Sequence, residues 1–363
     1  MSEEPIHHLL ARAQADGNPI IEGDTVTFVW EGEEAPFLLG DFNSWGHADD
    51  ENAILMTQIA PKVWTKTITL PRDAYIEYLL TTDVDDDEAR IPDPLNPNLV
   101  DNGMKELNNF FYMPDAELAP IVREGHSLPQ GVLSRHVITN KLFLAGGERD
   151  VWLYQPIVTT EPTPLLVVYD GYQYLKQIEI TRIVDRLIAQ KSIPPIALAM
   201  IDSGEDMRIV EYMAGDAMLK VVTEDVLSLA KEKLDLLDIE THHGAFGVCG
   251  ASMGGLMAYY SALRFPHIFG RAICQSSSLF LFHNDPHSPI KALINSLDPT
   301  QYPLKFWFDI GTYETNPRIQ QETTDMLNKH GFQATFQQFS GGHNNTNWQR
   351  ILDRALITIF GDD

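Results

Sequence analysis

From about residue 133 onward, short apolar runs alternate with longer stretches that have helical periodicity. The runs that predict buried strands are Asp150–Tyr154, Leu165–Tyr169, Ile196–Ile201, Ala245–Cys249, Arg271–Gln275, Lys305–Ile310 and Gln333–Phe339. Helical patterns lie between most of them, at Ile178–Lys191, Met218–Leu236, Gly255–Arg264 and Pro317–His330. Strands that alternate with helices form right-handed crossovers, so the pattern predicts an α/β fold: a mostly parallel sheet with helices on both faces. Ligands of such sheets bind at the carboxyl ends of the strands.

The residues before this region follow a different pattern. An opening amphipathic stretch, Ile6–Ala15, predicts a helix, and the period then changes to two in the runs Thr25–Trp30, Ala35–Leu39, Val63–Leu70, Ala74–Thr82 and Asn108–Met113. Alternating runs separated by turn residues predict a small all-β, immunoglobulin-like sandwich. We therefore predict a β-sandwich at 1–114, a linker at 115–132 and an α/β domain at 133–363.

Charge and composition exclude several classes of protein. The formal net charge is −25, and residues 1–114 hold 22 acidic and 6 basic residues, which argues against nucleic acid and anionic membranes as partners. No apolar run is long enough to span a membrane, and the first residues lack a signal-peptide pattern, so we expect a cytoplasmic protein. Cys249 and Cys274 lie in apolar runs and predict buried thiols. His242 and His243 are adjacent rather than at metal-ligand spacing, so the sequence predicts neither a metal nor another cofactor.

The sharpest chemical motif is G-x-S-x-G at Gly250-Ala-Ser252-Met-Gly254. It falls between a predicted buried strand and a predicted helix, the setting of a nucleophile elbow, in which small neighbours allow a strained turn that exposes the serine hydroxyl. Ser252 is therefore the candidate nucleophile. The alternative is a glycine-rich turn that only packs the helix on the sheet.

A serine nucleophile needs a histidine base and a carboxylate that orients the histidine, in the chain order Ser, Asp/Glu, His. Of the two histidines in the last forty residues, His330 ends a helical pattern, whereas His343 follows the final strand and is the candidate base. Glu314 lies in the loop after the strand Lys305–Ile310 and is the favoured acid. Asp309, inside that strand, is the competing one.

The tetrahedral intermediate of acyl transfer also needs N–H donors for its oxyanion. The N–H of Met253 is one candidate, because the residue after the nucleophile begins a helix and its amide has no partner within that helix. The N–H of Tyr172 is the second, in a loop where Gly171 permits an unusual backbone path.

With these residues assigned, the C-terminal 230 residues resemble the family that includes enterochelin esterases and the acetyl and feruloyl esterases of carbohydrate esterase family one. The matching blocks are Tyr169–Gly171, Ser192–Ala197 with Ile201–Asp202, Gly250–Gly255, Cys274–Ser278, Gly311–Glu314 and Gly341–His343. The resemblance implies that residues 133–363 are an α/β-hydrolase esterase domain, a serine hydrolase that uses Ser252, Glu314 and His343. The segment from Asp202 through Arg208 to Tyr212 is similar to the enterochelin-esterase branch, although Gly215-Asp216 stands where that branch usually has asparagine. Gly171, Arg208 and Tyr174 are the predicted substrate contacts.

The N-terminal part resembles the carbohydrate-binding modules of glycogen-branching enzymes and the small domain of enterochelin esterases. Its marks are Leu39–Trp45, Val63-Trp64, Tyr75–Tyr78 and Asp93–Pro97. Trp45 matches one of two sugar-stacking tryptophans, but no aromatic residue stands near Arg90 to match the other. We therefore expect this part to cover the cleft or form a homodimer rather than to bind glycan.

The predicted activity is hydrolysis of a small-molecule carboxylic ester through an acyl-enzyme, with a siderophore-type ester as first substrate. The acidity of the chain argues against an anionic substrate, since only Arg208 and Lys176 are evident cations for it. Acetyl or feruloyl sugar esters and short-chain esters are the alternatives. A hypothesis of another class is a non-catalytic glycan-binding protein.

Overall fold

The computed structural model describes residues 3–46, 54–103, 106–119, 130–157, 161–283, 285 and 287–361. Contacts divide the chain into two units. One comprises residues 1–117 with the segments 311–315 and 338–347, and the other comprises 118–310, 316–337 and 348–363. Residues 120–129 of the predicted linker lie outside the described residues. The predicted domain ranges do not anticipate that two later segments group with the N-terminal residues.

The N-terminal residues of the first unit are β-rich after an opening helix, Glu3–Asp16. Short 3₁₀ turns stand at Asp41–Gly46 and Asp87–Ala89. The strands are β1 Ile20–Glu22, β2 Thr25–Glu31, β3 Phe37–Gly40, β4 Ile54–Leu55, β5 Thr57–Ala60, β6 Val63–Thr69, β7 Tyr75–Thr81, β8 Arg90–Ile91, β9 Leu99–Asp101 and β10 Leu107–Tyr112.

These strands form two sheets. The described strands of one run in the order β1-β2-β6-β5, and those of the other in the order β4-β3-β7-β10-β9, with β8 paired to β7. Side chains from both sheets build one apolar core, in which Phe28 from β2 meets Tyr78 from β7 with ring centroids 5.0 Å apart. Burying side chains of this size stabilises the fold by about 2 to 3 kcal/mol each. Every residue of β7 is buried, which makes it the central strand of this unit.

The second unit is built on one eight-stranded sheet. Its strands are β11 Val132–Thr139, β12 Glu148–Gln155, β13 Leu165–Val168, β14 Ala197–Ile201, β15 Phe246–Ala251, β16 Phe269–Gln275, β17 Lys305–Gly311 and β18 Gln333–Phe339. The strand order is β11-β12-β14-β13-β15-β16-β17-β18. Strands β14, β13, β15, β16 and β17 are parallel, whereas β11 and β12 pair antiparallel at one edge.

Helices connect the strands. They span Gly171–Lys176, Ile180–Ala189, Arg208–Tyr212, Asp216–Lys220, Leu227–Lys233, Met253–Arg264, Phe280–His283, Pro289–Ser296, Arg318–His330 and Asn345–Phe360, with a π-helical turn at Val221–Val226 and a 3₁₀ turn at Glu205–Met207. The helix Met253–Arg264 is buried on all sides except at its last residue, because its sequence is almost entirely apolar or small. It fixes the end of β15, where the candidate nucleophile lies. Among the described residues, no helix has the length and apolarity to cross a membrane.

Candidate active site

Ser252 occupies a strained turn between β15 and the helix Met253–Arg264. Its φ of 58° and ψ of −120° lie in a region that residues with side chains rarely adopt. The strain is held in place from both sides, because the Ser252 N–H donates to the Gln275 carbonyl at 2.9 Å and the Ser252 carbonyl accepts the Ser278 N–H at 3.0 Å. This is the backbone geometry of a nucleophile elbow.

Gly250 and Gly254 flank Ser252, and at both positions neighbouring atoms lie too close to leave room for a Cβ. A Cβ added to Gly250 would lie 2.4 Å from the carbonyl carbon of Gly254, and one added to Gly254 would lie 2.6 Å from Asp170 Oδ2. Larger residues would push the helix away from the strand. The two glycines of the G-x-S-x-G motif are therefore required because the strand and the helix pack closely in this turn.

The two predicted oxyanion donors have different surroundings. Met253 is the first residue of its helix, where an amide has no acceptor four residues earlier in the helix. Tyr172 lies in the first turn of the helix Gly171–Lys176, and its N–H is one of the groups that lower the pKa of the Asp202 carboxyl, although burial has the larger effect and raises that pKa. Asp202 is thus a competing acceptor for the Tyr172 amide, which the sequence did not reveal.

His343 and Glu314 are joined directly. His343 Nδ1 lies 2.6 Å from Glu314 Oε2, and Glu314 Oε1 accepts the Gly311 N–H at 2.7 Å. The Glu314 side chain is 5% exposed and the His343 side chain is 45% exposed. A carboxylate held in this way fixes the tautomer with the proton on Nδ1, which leaves the Nε2 lone pair to act as a base.

The two competing residues have structural partners instead. Asp309 is fully buried within β17; its Oδ1 accepts the Ser276 N–H at 3.1 Å and its Oδ2 accepts the Trp307 Nε1–H at 2.7 Å. His330 lies at the C-terminal end of its helix, where its ring contacts the Met326 carbonyl and the Asn295 side chain. Among the candidate acids and bases, His343 and Glu314 are therefore the two residues that pair with each other.

Arg208, a predicted substrate contact, makes a two-point ion pair with Asp170. Its Nε donates to Asp170 Oδ1 at 2.6 Å and its Nη2 to Asp170 Oδ2 at 2.8 Å, and Nη2 also lies 3.3 Å from the Ala251 carbonyl oxygen. Asp170 is 3% exposed and has a positive φ of 57°. Sequence reasoning did not single out Asp170, although its position just before Gly171 could have suggested it.

Two further predicted substrate contacts are buried. The Tyr174 ring is 1% exposed and its hydroxyl donates to Gln275 Oε1 at 2.9 Å, which corrects the prediction that Tyr174 contacts substrate: the ring packs in the core and its polar atom is already used. Gly171 is also buried, and a Cβ there would lie 2.6 Å from the carbonyl carbon of Met200. Its role in the structure is to let the helix Gly171–Lys176 approach β14.

Apolar side chains are exposed on the three segments that contact the elbow. The exposed residues are Tyr172, Met207, Ile209, Val210, Phe280 and Leu281. The segment around Arg208 reaches the elbow through the Ala251 carbonyl, and the segment after Ser278 reaches it through the Ser252 carbonyl. Each of the three segments that contact the elbow thus carries exposed apolar side chains, and we call these six residues the apolar rim.

The chain is similar in sequence to esterases of iron(III) siderophores. Iron(III) enterobactin esterase of Dickeya dadantii is 25% identical over 291 residues, covering 75% of this chain and 66% of that protein. Iron(III) salmochelin esterase of Escherichia coli O6:H1 is 23% identical over 250 residues, covering 64% of this chain and 59% of that protein. This chain thus spans about two thirds or less of the length of these relatives.

The similarity to solved structures covers a larger share of this chain than the similarity to these sequence relatives. The ferric enterobactin esterase from Salmonella typhimurium superposes with a TM-score of 0.74 at 20% identity, covering 94% of this chain and 95% of that one. The Shigella flexneri enterobactin esterase crystallised with enterobactin gives a TM-score of 0.71 at 22% identity, with 92% of each chain covered. The fold is therefore an α/β-hydrolase-like esterase fold with an N-terminal β-rich domain.

This fold, with a serine at the elbow, defines the chain as one of the α/β-hydrolase class. The profile of the Esterase family matches residues 144–359, well over half of the chain. The chain belongs to the Esterase family. Its similarity to the enterobactin esterases extends the match beyond that profile, into the N-terminal residues.

Proposed function

We propose that this chain is a serine carboxylic-ester hydrolase in which Ser252 is the nucleophile, His343 the base and Glu314 the residue that orients the base. The observation that carries the proposal is the strained backbone of Ser252 at the elbow, with a φ of 58°. The 2.6 Å contact between His343 Nδ1 and Glu314 Oε2 supports it. So does chain order, because Ser252, Glu314 and His343 each follow a strand of one sheet, β15, β17 and β18.

The chemistry takes two steps. Nε2 of His343 accepts the Ser252 proton while Oγ bonds to the ester carbonyl carbon; the tetrahedral intermediate then collapses, the carbon–alkoxy bond breaks and the leaving oxygen takes the proton from Nε2. In the second step, His343 Nε2 takes a proton from water while the water oxygen bonds to the acyl carbonyl carbon. The bond to Ser252 Oγ then breaks, Oγ takes the proton from Nε2, and the carboxylic acid is released. The N–H groups of Met253 and Tyr172 are the proposed donors to the oxyanion.

The first proposed substrate is a siderophore-type ester. Support comes from the relatives that are esterases of iron(III) enterobactin and iron(III) salmochelin. Such a substrate is anionic when iron-loaded, and Arg208 is the proposed contact for it. The Asp170 carboxylate already engages that guanidinium at two points, so the charge available to a substrate is reduced.

The second proposed substrate class is a neutral ester with an apolar or aromatic acyl group. The apolar rim favours it, because Tyr172 is 52% and Val210 65% exposed on segments that contact the elbow. Burial of one aromatic acyl group against such side chains contributes on the order of 2 kcal/mol. Feruloyl and short-chain esters belong to this class.

We also propose that the N-terminal β-rich part is an immunoglobulin-like sandwich that supports catalysis rather than binding glycan. Trp45, the residue that matches a sugar-stacking tryptophan, is half-buried and donates its Nε1–H to Asp41 Oδ1 at 3.2 Å. A homodimer through this part is the remaining proposal from sequence. Its direct test is the oligomeric state of the purified chain in solution.

The experiment that tests the function is ester hydrolysis by the purified chain, with the Ser252→Ala variant as control. The panel is 4-nitrophenyl acetate and butyrate, methyl ferulate, acetylated xylan and a ferric catecholate-siderophore ester. A hundredfold preference in kcat/KM for the siderophore, about 2.7 kcal/mol of transition-state binding, would support the first substrate. A preference for methyl ferulate or butyrate would support the second, and no serine-dependent turnover of any ester would overturn the proposed function.

A further inference from the structure

Asp41 is a buried carboxylate of the N-terminal β-rich part that contacts the segment carrying His343. It begins the 3₁₀ turn after β3 and is 2% exposed. Burying a carboxylate is costly unless its oxygens accept hydrogen bonds. The partners of Asp41 therefore show what it holds in place.

The contacts of Asp41 lie on both sides of His343 in the chain. Its Oδ2 accepts a hydrogen bond from Asn344 Nδ2 at 3.0 Å, across 303 residues of sequence. Its Oδ1 lies so close to the backbone of Gly342 that a Cβ there would be 2.2 Å away. Gly342 and Asn344 are thus both packed or bonded against one side chain, and His343 lies between them.

Each end of this contact is itself anchored. Asp41 Oδ2 also accepts the Glu77 N–H from β7 at 2.9 Å, so the carboxylate is tied to the central strand of its unit. On the other side, Asn344 Oδ1 accepts the Asn347 N–H at 2.9 Å, and Asn347 Nδ2 donates to the Gly342 carbonyl at 3.2 Å. The segment Gly342–Asn347 therefore has one backbone path, fixed from within and by Asp41.

We propose that Asp41 is a positioning residue for His343: it holds the segment on either side of the imidazole so that the base keeps its place against Glu314. The inference rests on the proposed function, since it assigns a role within that same site. The acid loop has a matching anchor, because the Tyr313 ring packs against the apolar core of the N-terminal sheets. A shift of about 1 Å in a catalytic group can lower kcat about a hundredfold.

The groups that shift the pKa of the Asp41 carboxyl include both His343 and Glu314. Burial raises the pKa of the Asp41 carboxyl, the N–H donors of Glu77 and Trp45 lower it, the Glu314 carboxylate raises it and the His343 imidazole lowers it. Glu77, Tyr75 and Tyr313 are the other titratable groups that face Asp41. Both members of the histidine–carboxylate pair are thus close enough to interact with Asp41.

Three variants test the role. Asp41→Ala removes the anchor, and Asn344→Ala removes the same hydrogen bond from the other side. Asp41→Asn is the conservative variant, because its amide oxygen can replace Oδ2 as acceptor for Glu77 and Asn344, with only the 3.2 Å Trp45 bond lost. Asp93→Ala is the matched control: Asp93 is equally buried in the same part, but its partners are Asn18, Tyr78 and Leu95.

The measurements are kcat and KM on the best ester of the panel, the melting temperature, and the rate at which a fluorophosphonate labels Ser252. We expect Asp41→Ala and Asn344→Ala each to lower kcat and the labelling rate about tenfold to hundredfold, with KM changed less than threefold. Both variants lose the Asp41–Asn344 bond, so the loss of kcat in their double variant should be smaller than the product of the two single losses. Asp41→Asn and Asp93→Ala should keep kcat within about threefold.

The inference is overturned if folded Asp41→Ala keeps the kcat and labelling rate of the parent. It is overturned equally if Asp93→Ala lowers kcat and the labelling rate as much as Asp41→Ala does. It is also overturned if Asp41→Asn is as impaired as Asp41→Ala, since the bond to Asn344 would then not be the cause. Failure of the proposed function gives a different result: the parent chain itself would show neither ester turnover nor labelling of Ser252.

Discussion

Arg208 holds Asp170 through two parallel hydrogen bonds, of 2.6 and 2.8 Å, in the segment that follows β13. Asp170 is almost completely buried and has a left-handed backbone, and its Oδ2 lies against Gly254 in the first turn of the elbow helix. The pair thus joins three segments around the nucleophile. Arg208 therefore has a structural function that does not depend on contact with a substrate.

Replacing Arg208 tests that function. Arg208→Met leaves a buried carboxylate without its partner, so we expect the free energy of unfolding to fall by about 3 kcal/mol and kcat to fall for neutral and anionic esters alike. Arg208→Lys keeps a charge but not the two-point geometry and should lose less. Chemical denaturation and kinetics on methyl ferulate and the siderophore ester measure both effects. Unchanged stability with a loss confined to the anionic ester would instead identify Arg208 as a direct substrate contact.

Ser252→Ala and His343→Ala should each abolish most activity. Because the nucleophile and base act as one unit, each variant should lower kcat by about a thousandfold or more, while the free energy of unfolding stays within about 0.5 kcal/mol. Turnover of 4-nitrophenyl butyrate and thermal melting are the measurements. Ser296→Ala, at the end of the helix Pro289–Ser296, is the control and should match the parent. A near-parent rate for either site variant would contradict the assignment.

The two candidate acids should respond differently to amide substitution. Glu314→Gln places an amide N–H against His343 Nδ1, which forces the proton onto Nε2, so kcat should fall by about 10³- to 10⁴-fold with little loss of stability. Asp309→Asn places an amide N–H against one of two buried donors and should cost about 1 to 3 kcal/mol of stability, with kcat of the folded enzyme retained. The reverse pattern would assign the acid to Asp309.

Stability should depend on pH through the buried pair Asp41 and Glu77. Burial, and for Glu77 also the Asp41 charge, raises the pKa of both carboxyl groups above their usual range. The folded chain therefore keeps protons that the unfolded chain releases from about pH 4 upward, and this contribution to the free energy of unfolding falls as pH rises from there through neutral pH.

The comparison of Glu77→Gln with the parent isolates this effect. We expect the melting temperature of the variant to fall less steeply between pH 5 and pH 8, because one of the two raised groups is gone. The control is Glu34→Gln, at an exposed residue, which should keep the parent's slope. If the variant keeps the full slope as well, the pair is not its source.

The strands of the large sheet were predictable because they are apolar and bounded by turn residues. The prediction for Arg271–Gln275 differs from β16 only at its start, and that for Gln333–Phe339 coincides with β18. Strand β11 was missed: it lies at the sheet edge, most of its residues are exposed or half-exposed, and polar residues interrupt its apolar ones. The two- and three-residue strands β1, β4, β8 and β9 were missed because runs this short contain too few residues to show a pattern of alternation.

The site was partly predictable for a related reason. Ser252 is marked by a local motif, and His343 and Glu314 follow strands that are themselves recognisable. Asp41, by contrast, reaches Asn344 across 303 residues, and no local pattern reports such a contact. Tyr174 was predicted to contact substrate, and the sequence did not show that its helix turns the ring into the core.

The grouping of residues 311–315 and 338–347 with the first 117 residues changes where the chain can be cut. A fragment that begins at Leu118 would contain the nucleophile and all eight strands of the large sheet, yet it would leave behind Asp41 and the core on which Tyr313 rests. Truncation or domain exchange at that boundary would therefore separate the base from its support. If Asp41 positions His343 as proposed, an active fragment must include the N-terminal β-rich part as well as the large sheet.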